Sequence, residues 1–364
     1  MRILALEPYA ALSHLQFLEG YREHSKHDVE ILSLPARSWK WRMRTASLHF
    51  AEALASRDWD VLFASDYTNL AELVALLPAQ VAARPAVLYF HENQVTYPLQ
   101  PGERRDIHYA LTHLHALLVA REAWFNSDYH RRTFLEALPR VMESEQDLDW
   151  SRVLERAERR SIVSPLGVDT PAHPPRGACE IPTVVWNHRW EYDKNPDGLL
   201  ATAKALVSSG VDFRLRVLGQ EFRKVPAAMS ELAETLGSKL ERHGFAERAT
   251  YLELLRTSDI VLSTAFHEFF GLGTLEAIRS GCLPVLPDDL AYPELLPAPL
   301  RGDRRFLYAR GDEAETLAAA LEAVRSGAWM ADREALVRGT DRFLWSDVAP
   351  AMDERFEGIV GVDT

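Results

Sequence analysis

The sequence predicts an α/β protein built from two doubly wound domains, and three observations carry this. Short β-branched or aromatic runs recur along the whole chain, each followed by a segment with helical apolar spacing. The runs lack the alternation of a half-exposed sheet, so they read as strands buried on both faces, as parallel strands are. The 364 residues suit two domains of about 100–200 residues each, and a proline-rich stretch, TPAHPPRGACEIP at 170–182, separates two strand–helix series.

Taken in order, strands are expected at 2–6 (RILAL), 28–32 (DVEIL), 61–64 (VLFA), 86–90 (AVLYF) and 123–126 (AWFN). After the proline-rich stretch they are expected at 183–186 (TVVW), 213–218 (FRLRVL), 260–263 (IVLS) and 283–286 (LPVL). Helix-period apolar residues occupy 48–56, 70–77, 107–120 and 314–325. Mixed charges at 143–160 read as a solvated helix. The division expected is a first domain at 1–172, a linker at 173–182, a second domain at 183–345, and a tail at 346–364 forming a helix that returns to the first domain. In doubly wound sheets ligands sit beyond the carboxyl ends of the strands, so function is sought in the loops that follow strands.

Composition excludes several classes. With 47% hydrophobic and 26% charged residues the chain is neither disordered nor fibrous. The first apolar run is too short for a secretory core, and no stretch reaches the roughly 18 apolar residues of a membrane span, so a cytoplasmic protein without membrane contact is expected. Two cysteines make no disulfide framework. A net charge of −12, from 41 Lys+Arg against 53 Asp+Glu, disfavours bulk binding of nucleic acid but not a local basic patch.

The most informative segment is SDIVLSTAFHEFFGLGTLEAIRSGCLPVLPDD, 258–289. A buried strand ends in a loop, and Phe270, Gly271, Leu272, Gly273 and Thr274 open a helix. Glycines there let a ligand approach the backbone, and the first helical N–H groups suit a phosphate. Glu268 and Glu276 bracket this opening; a lone glutamate would merely offset the helix dipole, whereas Glu276 can also accept from ribose hydroxyls. The loop WNHRWEYDKN, 186–195, again follows a strand and carries Arg189 and Lys194. Two loop cations are often plain solvated charges, but here they would offset a departing diphosphate. No Asp-x-Asp follows a strand to hold a divalent ion, and no cofactor or metal is expected.

The Glu-x7-Glu pattern of HEFFGLGTLE with NHRWEYDKN resembles retaining nucleotide-sugar glycosyltransferases of GT-B fold, two Rossmann-like domains facing across a cleft. PARSWKWRMRTASLHFA, FASDYTNLAEL, YFHENQVTYPLQ, FNSDYHRRTFLEALP and HEFFGLGTLEAIRSGCLPVLPDDLAYPEL resemble more narrowly the tRNA-queuosine mannosyltransferase family. The resemblance implies transfer of mannose from GDP-mannose to the queuosine of a tRNA anticodon, with nucleotide sugar and queuosine-containing tRNA as the partners. It implies His91, Arg189, Lys194 and Glu268 as catalytic residues. Donor contacts would come from Ser13, His14, Asn187, Gly219, Phe245, the 270–274 helix opening and Glu276. The loop EPYAALSHLQF carries Ala11-Leu12 where the family would have two glycines.

Acceptor contacts are expected from Asn93 and Gln94 beside His91, and from RSWKWRMR at 37–44. Basic residues interleaved with Trp39 and Trp41 suit stacking on unpaired bases with phosphate contact; Arg37, Lys40, Arg42 and Arg44 are the cations. An amphipathic helix with a solvated basic face would look the same. Arg104, Arg105, Arg131 and Arg132 would extend the stripe. Two alternatives stay open: a glycosyltransferase with another nucleotide sugar and a small or glycan acceptor, and a silent nucleotide- or RNA-binding relative.

Overall fold

Strand burial decides the architecture. The computed structural model describes residues 1–361 other than 101, 144, 146, 148 and 220–224, and omits the side chain at 243. Its chain divides into two units, one of residues 1–169 with 343–364 and one of 170–342. The first unit holds β1 (Arg2–Ala10), β2 (Asp28–Pro35), β3 (Val61–Ser65), β4 (Ala86–Phe90), β5 (Glu122–Phe125) and β6 (Ser161–Val163). They form one parallel sheet in the order β2-β1-β3-β4-β5-β6. Leu4, Leu6, Leu62, Ala64, Leu88 and Phe90 fill one face, while Ile3, Ala5, Val61, Phe63, Val87 and Tyr89 fill the other. Both faces are therefore apolar, as an all-parallel sheet requires. Only the edge strand β2 alternates in burial.

The second unit repeats the plan with β7 (Thr183–Asn187), β8 (Arg214–Leu218), β9 (Leu240–Gly244), β10 (Ile260–Leu262), β11 (Leu283–Pro287) and β12 (Leu307–Tyr308). The order is β12-β11-β10-β7-β8-β9, again parallel. In each sheet the chain reverses its direction of winding once, between β1 and β3 and between β7 and β10. Such switch points open a crevice beyond the strand tips, and those tips carry Glu7 and Asp66 in one unit, Asn187 and the 263–268 loop in the other.

Several expectations need correction. The stretch 173–182 is no free linker but belongs to the second unit: the His173 N–H donates to the Arg279 carbonyl at 2.8 Å, and Pro174 lies against Gly281. That unit ends at Arg342, before the expected 345, and the first unit resumes at Phe343. Helix Trp345–Gly361 covers one face of the first sheet, with Trp345 against Gly20 and Gly167 and the Tyr21 hydroxyl donating to Asp353 at 2.7 Å. The helical part of 143–160 is Ser151–Arg160, and it is not wholly solvated, since Ala157 is buried and Val153 and Leu154 pack on the core. The helix expected from 48 starts at Trp39 and takes in the basic-aromatic segment.

Candidate functional site

In the second unit the tip of β7 is bolted to the helix Leu272–Arg279. The Asn187 amide donates to the Gly273 carbonyl at 2.7 Å and to the Tyr251 hydroxyl at 2.9 Å. Gly271 caps the helix with φ 91°, a left-handed conformation that suits glycine. A Cβ on Gly273 would meet Asn187 at 3.1 Å, and one on Gly219 would meet the His188 carbonyl at 1.9 Å. These two glycines permit the close approach of β7, β8 and the helix. Phe270 and Thr274 are buried, so the 270–274 opening presents backbone rather than those side chains. Glu276 is buried too; it takes the Arg248 guanidinium at 2.6 Å and the Thr170 hydroxyl at 3.2 Å. Phe245, after β9, is exposed.

Arg189 and Lys194 share a loop but not an environment. Lys194 is buried, its ammonium donating to the His267 carbonyl at 2.8 Å, to Glu268 at 3.2 Å, and lying 3.0 Å from Asp193. Burial opposes its charge, but Glu268 and Asp193 outweigh that and hold its pKa above the ordinary value. Burial alone would raise Glu268; Lys194 holds it down at about 2. His188 and His267 are pushed down to about 4, first by burial and then by Lys194, and stand neutral at pH 7. Arg189 is exposed and pairs with Glu191 at 3.2 Å. Lys194 is thus a fixed, carboxylate-balanced charge, whereas Arg189 is the cation that can reach a ligand.

In the first unit Glu7 lies 3.3 Å from His14, and the His14 ring stacks on His91 with centroids 4.1 Å apart and planes 19° from parallel. His91 is held through its backbone: its N–H donates to Asp66 at 3.2 Å and its carbonyl accepts from Asn126 at 3.0 Å. Glu7, His14 and His91 offer ligand atoms within 4.8 Å of one another. Nearly parallel stacked rings do not aim their lone pairs at one point, so the trio is not built as a chelate. Burial opposes protonation of His14, but Glu7 overrides it and the pKa is pushed up to about 9. This pair therefore stabilises the unit fully below the ordinary value of about 6.5 and ceases to do so as pH rises through 9. Ser13 is exposed in the first turn of helix Leu12–His24, and Ala11 takes ordinary extended backbone, so no glycine is needed there.

The acceptor-side expectations divide. Asn93 is buried and spends its carbonyl oxygen on the Val95 and Thr96 N–H groups and the Thr96 hydroxyl, which makes it a loop-shaping residue. Gln94 donates to Glu92 at 3.0 Å, and Glu92 also accepts from the Tyr67 hydroxyl at 2.6 Å. On the helix Trp39–Leu54, Trp39 packs toward Tyr67 and Tyr109, whereas Trp41 is 69% exposed. Trp41, not Trp39, presents a ring to solvent. Lys40 is exposed; Arg42 donates to the Pro35 carbonyl, and Arg44 lies over Tyr109 and 3.6 Å from Asp106. Arg105 clamps the Gln94 and Tyr97 carbonyls, Arg131 binds the Ser161 carbonyl, and Arg132 pairs with Glu136. Glu7, Asp66, Tyr67, Arg248 and Tyr251 went unnoticed in the sequence; a carboxylate closing an apolar run, as in RILALE and VLFASD, was the available signal for the first two.

A family model for the tRNA-queuosine alpha-mannosyltransferase N-terminal region matches residues 2–168, and one for glycosyl transferases group 1 matches 180–337. The chain is 39% identical over 309 residues to the tRNA-queuosine alpha-mannosyltransferase of Drosophila melanogaster, covering 81% of each chain. The chain belongs to the tRNA-queuosine alpha-mannosyltransferase family. A shorter similarity, 29% over 149 residues and 38% of each chain, joins it to a GDP-mannose-dependent phosphatidylinositol dimannoside mannosyltransferase of Mycobacterium tuberculosis. Sucrose-phosphate synthase from Thermosynechococcus elongatus superposes with a TM-score of 0.73 over the full length of both chains at 13% identity. Anabaena HepE with UDP and glucose gives 0.69, covering 98% of this chain and all of that one at 14% identity. Both units are thus those of a GT-B glycosyltransferase, and the tRNA-queuosine alpha-mannosyltransferase match over residues 2–168 includes Glu7, His14 and His91.

Proposed function

We propose that this glycosyltransferase moves mannose from GDP-mannose to a hydroxyl of the queuosine cyclopentenediol in a tRNA anticodon, with retention and without a metal ion, in the cytoplasm. The observation that carries the reading is the 39% identity to a tRNA-queuosine alpha-mannosyltransferase over 81% of both chains. Among the described residues no helix is long and apolar enough to cross a membrane.

The second unit would hold the donor. Backbone N–H groups at the start of helix Leu272–Arg279 face the diphosphate, Arg189 offsets the charge that grows on it, and Glu276 accepts from the ribose. Lys194, already paired with Glu268 and Asp193, keeps that loop rigid so that Arg189 is presented to the diphosphate. The departing diphosphate takes the acceptor's proton, so no protein nucleophile is needed. In the first unit His91, neutral because burial and the neighbouring His14 push its pKa well down, offers an imidazole to a sugar hydroxyl.

Calorimetry with GDP-mannose, GDP, UDP-glucose and ADP-glucose tests the donor half. GDP-mannose is expected to bind most tightly, and Glu276→Gln to weaken it by about 1–3 kcal/mol, the cost of losing a charged acceptor. Preference for a uridine or adenine nucleotide would overturn the donor assignment. Unchanged affinity in Glu276→Gln would reduce that residue to a partner of Arg248.

A further inference from the structure

We propose that Glu7 is a positioning residue that divides the two stacked histidines into an imidazolium donor, His14, and a neutral acceptor, His91, matched to neighbouring hydroxyls of a polyol substrate. Glu7 lies in β1 just before its register with β2 shifts and is 0% exposed; its Oε1 accepts the Tyr9 N–H at 2.8 Å, and its Oε2 faces His14 Nδ1 at 3.3 Å. A carboxylate on that side places a proton on Nδ1, so the proton that titrates is the one on Nε2. The second ring, 4.1 Å away, stays unprotonated beside a like charge, and its Nε2 is buried with no hydrogen-bond partner in the protein. Two titratable groups whose surroundings push them to opposite protonation states are the usual mark of a donor–acceptor division of labour. A polyol needs that division, because each hydroxyl both donates and accepts.

The other groups around the pair leave this arrangement in place. Asp66 and Glu92 at the tips of β3 and β4 add to the carboxylate field that keeps His14 charged. His130, from helix Asp128–Met142, adds to the pressure that keeps His91 neutral. Burial raises Asp66 well above the ordinary carboxylate range, with His14 opposing it, and raises Tyr67 and Tyr89 well above the ordinary phenol range, so the two phenols stay protonated at neutral pH.

This rests on the transferase reading, and the test keeps the two apart. Imidazole NMR titration of the parent should show His14 losing its proton near pH 9 and His91 silent between pH 5 and 9; this needs no turnover. Glu7→Gln keeps the shape and the oxygen that accepts from Tyr9 but removes the charge that overrides burial, so His14 should fall to its ordinary value of about 6.5 or below. The ratio of imidazolium fractions then predicts that kcat/KM drops at least about 30-fold at pH 8 and by clearly less at pH 6, whereas Glu7→Asp keeps the alkaline limb near that of the parent. A His14 that titrates normally in the parent overturns the inference, as does a Glu7→Gln loss equal at every pH. A parent that titrates as described yet transfers no mannose would sink the function and leave the Glu7–His14 pair standing.

Discussion

Arg189→Ala is expected to fold like the parent and to turn over about 10²–10³ times more slowly, the usual consequence of removing a transition-state charge partner. The side chain is half exposed and pairs with Glu191, whose own side chain is a third exposed, so water can solvate the carboxylate that its removal leaves. The contrast with Lys194 is the informative part. Lys194→Ala strands Glu268 and Asp193 without their shared cation, and breaking a buried pair in this way costs about 3–5 kcal/mol of stability. Chemical denaturation should therefore separate the two: an unchanged midpoint for Arg189→Ala and a lowered one for Lys194→Ala. The Glu268 carboxyl, now held at about 2, is stabilising above its ordinary value near 4.5, and that stabilisation is lost as pH falls through 2. Arg189→Ala at the parent rate would remove Arg189 from the chemistry.

The second large effect is expected at the start of the Trp39–Leu54 helix. Trp41→Ala should weaken tRNA binding by about 1–3 kcal/mol, the typical contribution of one base stacked on an aromatic ring. Its ring is 69% exposed on a helix whose opposite face buries Met43, Ala46 and Phe50, so the fold should not change. The four cations of residues 37–44, Arg37, Lys40, Arg42 and Arg44, predict a slope of roughly −3 for log K against log salt, and Lys40→Ala should make it shallower by about 1. Arg42 and Arg44 are less clean probes, because each also holds local structure at Pro35 or Tyr109. Donor affinity should be the same in Trp41→Ala and the parent. Equal tRNA affinity in the two proteins would make this helix a solvated face.

Much of the architecture was legible because it rests on apolar runs. VLFA and AVLYF lie in strands buried on both faces, and parallel sheets alone demand such runs. Three strands were not: Ser161–Val163 and Leu307–Tyr308 are too short to show a period, and Leu240–Gly244 reads LERHG, with little apolar content. The proline-rich stretch looked like a linker because composition reports local stiffness and not what the segment packs against.

In the site, the Gly-rich helix opening was readable, since glycine spacing encodes backbone approach directly. The state of Lys194 was not, because its burial depends on the 265–268 loop folding back over it from far along the chain. Trp39 and Trp41 are two residues apart, and only the helix phase, set by Met43 and Phe50 turning inward, decides which ring faces water. Glu7 stayed hidden for a related reason. Its partner His14 is seven residues on, in the first turn of the next helix, and the stacking on His91 joins that helix to the tip of β4, a strand that is not even a neighbour of β1 in the sheet.

The central claim is that the acceptor is queuosine in tRNA and the donor GDP-mannose. Incubation with GDP-mannose labelled in the sugar, and with matched tRNA pools that contain or lack queuosine, tests it most directly. The account predicts label in the queuosine-containing tRNA alone, on the cyclopentenediol, with little from UDP-glucose. Label in tRNA lacking queuosine, or transfer only to a small acceptor, would contradict it.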